Sequence, residues 1–60
     1  MATIKAVAVV EGIKVDGGAP IFYAKDETEL QQLAFNLEKI LDVNAHVLKP
    51  GTFILVDHKG

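Results

Sequence analysis

Sixty residues, half of them apolar and 23% charged, make a single small domain, 1–60, with a formal net charge of −2. A chain this short buries only about 60% of the surface its unfolded form exposes, and with no cysteine it lacks both disulfide and thiolate–metal staples. Its six basic residues are all lysines, placed singly and outnumbered by eight acids, which excludes the clustered cationic surface that nucleic-acid binding requires.

Thr3 to Val10 opens the chain as a strand rich in β-branched residues and alanine. Ile4, Ala6, Ala8 and Val10 lie on one face, Lys5, Val7 and Val9 on the other. A strand apolar on both sides is normally covered on both sides. Glu11-Gly12 ends it, Ile13-Lys14-Val15 extends as a ribbon, and Asp16-Gly17-Gly18-Ala19-Pro20 reads as a loop, because glycines permit positive φ and proline removes a ladder donor. Ile21 to Ala24 is a short second strand.

Asp26 followed by Glu29 has capping-box spacing, with Thr28 and Gln31 as a shifted alternative. The apolar positions Leu30, Leu33, Ala34, Leu37, Ile40 and Leu41 fall in a stripe of roughly 120°, which predicts a helix over 27–41. Asp42-Val43-Asn44 ends it. Ala45 to Leu48 and Phe53 to Val56 then flank Lys49-Pro50-Gly51-Thr52, where proline and glycine at the two central positions specify a type II turn. A plain four-residue turn pairs Leu48 with Phe53, Val47 with Ile54 and His46 with Leu55. It sets Ala45, Val47, Ile54 and Val56 against the helix, whereas a bulge at the turn slips the register by one residue. The order β-β-α-β-β predicts a two-layer α+β domain, one helix packed on a sheet of about four strands.

One helix covers one sheet face. In the plain register the other face shows Leu48, Phe53 and Leu55, together with His46 and one set of side chains from the first strand. Such a patch exceeds what a soluble monomer usually exposes. Two coverings are open: the chain itself, by the sheet curling or the Ile13–Val15 ribbon folding across it, or a homodimer or larger partner. The need of small domains for an added constraint favours the second. Phe35 lies about 150° around the helix from the centre of the apolar stripe, so it is either a stray surface aromatic or an assembly contact.

Catalysis finds little support. The chain has no serine and no cysteine, and its threonines and Tyr23 have no recognisable activating neighbour. His46 and Asp57 share a face in the plain register but read as a polar pair on a hairpin. His46 and His58 fall on opposite faces, so no metal site and no cofactor are expected. The Gly17-Gly18-Ala19-Pro20 loop feeds a strand rather than a helix N-terminus, which argues against a phosphate cradle and leaves an adaptable contact loop. Asp26, Glu27 and Glu29 sit where the helix dipole favours acids. No apolar run approaches the roughly twenty residues that span a bilayer, and the start lacks a basic leader, so a cytoplasmic chain without direct membrane insertion is expected.

Gly17 to Ala24, Leu33 to Asp42, Ala45-His46-Val47-Leu48 and Gly51 to His58 together resemble a small family of spore-forming Firmicutes. Its members are described as the capping-complex subunit that accompanies a polytopic membrane protein named for its YIEGIA motif. The resemblance covers nearly the whole chain. It implies a non-enzymatic accessory protein working in a complex at the cytoplasmic side of that membrane protein, and it carries over no catalytic or ligand residues. The expected function is an interaction module, a homodimer or a partner-bound subunit. Its contacts are His46, Leu48, Phe53 and Leu55 on the sheet, with Phe35 and the Gly17–Pro20 loop as secondary sites. The runner-up is a regulatory domain holding a small ligand in a dimer cleft between the Gly17-Gly18 loop and His46.

Overall fold

The computed structural model describes residues 2–58. Strands β1 (Thr3–Val10) and β2 (Ile21–Ala24) precede helix α1 (Glu27–Leu41), which leads into β3 (Asn44–Lys49) and β4 (Thr52–Asp57). The α+β architecture and the β-β-α-β-β order are those the sequence predicts, and the helix has the predicted bounds. The strands form one mixed sheet in the order β2-β1-β4-β3, with β2 parallel to β1 and β4 antiparallel to both β1 and β3.

Local chemistry sets the helix ends. Asp26 is the N-cap: its Oδ1 accepts the Glu29 N–H at 2.9 Å, while Glu29 Oε1 reaches back to accept the Lys25 N–H at 3.0 Å. The box therefore closes one residue further out than the usual N-cap N–H. At the other end Asp42 takes the left-handed conformation (φ 56°) and its N–H donates to the Glu38 carbonyl. The Glu38 side chain ties the helix to the start of β3, its Oε2 accepting the Ala45 N–H at 2.7 Å. Losing the cap carboxylate, as in Asp26→Ala, is expected to cost about 1 kcal/mol, read as a lower urea midpoint at unchanged slope.

The core lies between helix and sheet. Leu30, Ala34 and Leu37 bury against Ala6 and Ala8 of β1, Ala24 of β2 and Leu55 of β4, with Val10, Leu33, Val43, Ala45 and Phe53 packed around them. The alanines of β1 let the helix approach the centre of the sheet. Periodicity overextends the buried stripe at its end, because Ile40 is 75% exposed and Leu41 is also exposed. A 15-residue helix is about 22 Å long. Below its last turn the sheet is narrower, since β2 pairs only with Val7–Val10 of β1.

The hairpin register differs from the plain one. Lys49 pairs with Thr52, but Val47 then pairs with Phe53, His46 with Ile54 and Ala45 with Leu55, the irregularity falling between Val47 and Lys49. Leu48 is the residue the bulge takes up. Side chains alternate with period two, so this slip turns all of β4 over relative to β3. Phe53 and Leu55, rather than Ile54 and Val56, face the helix. A second irregularity, between Ile4 and Ala6 in the β1–β4 pairing, accommodates Lys5, the one charged residue of β1, which stays exposed.

The second sheet face is closed by the chain itself. A parallel β1–β2 connection has to cross one face, and the right-handed rule for such crossovers, applied to β1–β2 and β2–α1–β3 in this strand order, puts segment 11–20 opposite the helix. Val7, Val9 and Val56, none of them in the helix-side core, are buried accordingly, and Ile13, Val15 and Ala19 are half-buried. The segment is anchored at its two ends by the Glu11 N–H to the Ala24 carbonyl and the Val7 N–H to the Pro20 carbonyl, at 2.8–2.9 Å. The cover is tight enough to bury Thr52 beside Val9 with no hydrogen-bond partner for its hydroxyl among the described residues.

Candidate functional site

The residues expected to form one apolar sheet patch are divided by the slipped register. Leu55 is fully buried beneath the helix and Phe53 is half-buried against the same core, so neither lies on the outer face. Leu48 is 63% exposed at the β3 bulge, and His46 is exposed opposite Ile54. The large apolar side chains left in solvent among the described residues are Ile4 of β1, Phe22 and Tyr23 of the outer strand β2, Phe35 of the helix, and four on β3 and the last helical turn. Val47 (65% exposed) and Leu48 belong to β3, an outer strand, and Ile40 and Leu41 to the last helical turn. An outer strand also presents a row of backbone N–H and C=O groups that a further strand can pair with.

Phe35 is 55% exposed on the helix face turned away from the sheet, with the Lys39 ammonium 4.3 Å from its ring centroid. A lysine four residues on is the neighbour helical spacing provides, and a cation over an exposed ring is worth roughly 0.5–1 kcal/mol. The position therefore has a local partner on the same helix.

The Gly17-Gly18-Ala19-Pro20 loop borders the β2 edge. Gly17 adopts φ +144° and its N–H donates to Asp16 Oδ1 at 2.9 Å. Beside it Lys14, Val15, Asp16 and Tyr23 line an open depression of about 460 Å³. His46 is on β3, at the far edge of the sheet, with β1 and β4 between. Three strand spacings separate the two edges by about 14 Å, so within one chain the loop and His46 do not bound a common cleft.

The histidines depart furthest from expectation. In the plain register His46 and His58 are on opposite faces; in the observed register His46 shares a face with Ile54, Val56 and His58. Their Nε2 atoms are 3.0 Å apart, with ring centroids at 5.2 Å and planes at 81°. The signal was present in the proline-glycine turn, where a bulge was one of the two open outcomes. Among the described residues no cluster of three or more histidine, cysteine, aspartate or glutamate side chains is arranged to hold a metal ion.

Among the described residues no helix is long and apolar enough to cross a membrane. Residues 1–58 match the family described as "Capping complex subunit for YIEGIA". A curated relative from Bacillus subtilis (strain 168), "Uncharacterized protein YpzH", is 38% identical over 55 residues, which is 92% of this chain and 86% of that protein. No solved structure matches the chain. With a match over nearly its full length and the predicted order of elements in place, the chain belongs to the family of capping complex subunits for YIEGIA.

Proposed function

We propose that this protein is a non-enzymatic accessory subunit that docks on the YIEGIA protein through its β3 margin. The resemblance implies that this partner is a polytopic membrane protein. The observation that carries the reading is the pair of large apolar side chains, Val47 and Leu48, left exposed on an outer strand. Adding a partner strand to that edge satisfies its free backbone groups and covers these side chains together, the usual logic of strand addition. Phe35 and the Gly17–Pro20 loop serve as secondary contacts. The docked chain works at the cytoplasmic surface, held there through its partner.

An apolar sheet face is not the docking surface, because segment 11–20 already lies on it. Regulation by a small ligand is the weaker reading, since the depression at Lys14, Val15, Asp16 and Tyr23 is open and His46 stands at the opposite edge. The test is co-elution of the full chain with detergent-solubilised YIEGIA protein. Wild type is expected to co-elute, and the double variant Val47→Lys, Leu48→Lys to lose the partner while keeping its far-ultraviolet circular dichroism. Failure of the wild type to co-elute, or co-elution unaffected by the double variant, overturns the proposal.

A further inference from the structure

His46 and His58 are twelve residues apart in sequence, both exposed, and the fold brings them together at Nε2, the ring atom farthest from each backbone. A direct hydrogen bond between the rings satisfies the 3.0 Å separation, and so does a shared metal ion. With Zn–N bonds of about 2.0–2.1 Å, two imidazole nitrogens on one ion are about 3.3 Å apart at a tetrahedral angle and about 2.9 Å apart at a right angle. The nitrogens are closer than a tetrahedral ion holds them and, with ring centroids 5.2 Å apart, the rings point almost directly at each other. An ion therefore enters the pair once both rings turn toward a common point and the nitrogens part by about 0.3 Å. Two neutral imidazoles suit zinc, copper and nickel rather than calcium or magnesium.

We propose that His46 and His58 form half of a zinc-class metal site that a second copy of this chain completes. Two ligands leave a four-coordinate ion half filled. Among the described residues no further histidine, cysteine or carboxylate cluster supplies the rest. A second copy brings the same two nitrogens and makes a four-histidine shell about a twofold axis, the symmetry that most homodimers adopt. The position is accessible to it, since His46 is exposed on the outer strand β3 and His58 lies just beyond the end of β4. A shared ion also gives a short, cysteine-free chain the cross-link its size calls for. His46 projects from the opposite face of β3 from Val47, so the proposed ligands are not the apolar side chains of the docking margin, although both lie on the same outer strand.

The experiment titrates ZnCl2 into the full chain, following bound metal by equilibrium dialysis and mass by light scattering, with the variants His46→Ala and His58→Ala alongside. Wild type is expected to take up one zinc ion per two chains, to double its mass only when zinc is present, and to melt at a higher temperature with zinc than without. Both variants replace exposed side chains and keep the wild-type circular dichroism, yet lose the uptake and the mass change. Zinc uptake by wild type equal to that of His46→Ala overturns the proposal, and so does one zinc per chain at the mass of a single copy.

Discussion

Replacing Leu55 by alanine is expected to remove about 2–5 kcal/mol of stability, the range for deleting a buried leucine side chain from a core that cannot fully collapse. At about 0.05–0.15 kcal/mol per residue, a 60-residue domain has a total of only about 3–9 kcal/mol. Leu55→Ala therefore leaves the chain largely unfolded or melting far below wild type. Leu48→Ala removes the same atoms from a side chain 63% in solvent and is expected to shift stability by no more than about 0.5 kcal/mol. The pair tests the hairpin register directly, since the plain turn puts both leucines on one outer face and makes their losses similar. Urea unfolding monitored by circular dichroism measures both. Equal midpoints for the two variants would show that β4 does not turn Leu55 toward the helix.

That register is where sequence reasoning and structure part, and the reason is physical. The helix was legible to its ends because its signals are local: Asp26 and Glu29 at cap spacing, a 3.6-residue apolar repeat, and no continuation past Asp42. The strands were legible from β-branched runs between glycine and proline. The apolar character of β1 on both faces correctly required two covers. What supplies the second cover was harder to read, because segment 11–20 has few apolar side chains among its glycines and charges, and its path depends on β2 pairing parallel to β1. The bulge at Leu48 was not decidable locally, since proline-glycine turns support both registers. The tertiary environment decides, setting Leu55 and Phe53 in the core. One residue of slip then carries through to the candidate site, dissolving the expected patch of Leu48, Phe53 and Leu55 and joining His46 to His58.

The turn itself supplies the other large expected effect. Gly51 is buried at φ +82°, the value a type II turn needs at its third residue, and its carbonyl accepts the Val10 N–H that secures the end of β1. A Cβ placed there would stand 2.7 Å from Ile13 Cδ1, with Glu27 Oε1 and Val10 Cγ2 at ordinary van der Waals distance. Gly51→Ala thus meets two separable penalties: a left-handed backbone that costs a residue with a Cβ about 1–2 kcal/mol, and a clash that the tip of Ile13 must move to relieve. The expected loss is about 2–3 kcal/mol, within the range for a strained buried position. Gly51→Asn should recover part of the backbone share, because asparagine tolerates the left-handed region. Ile13→Val, which deletes the clashing methyl, should recover the steric share only in the Gly51→Ala background, giving a coupling of about 0.5 kcal/mol or more in a double-mutant cycle. Additive losses in that cycle would separate Ile13 from the turn and remove the contact that holds segment 11–20 at this end of the sheet.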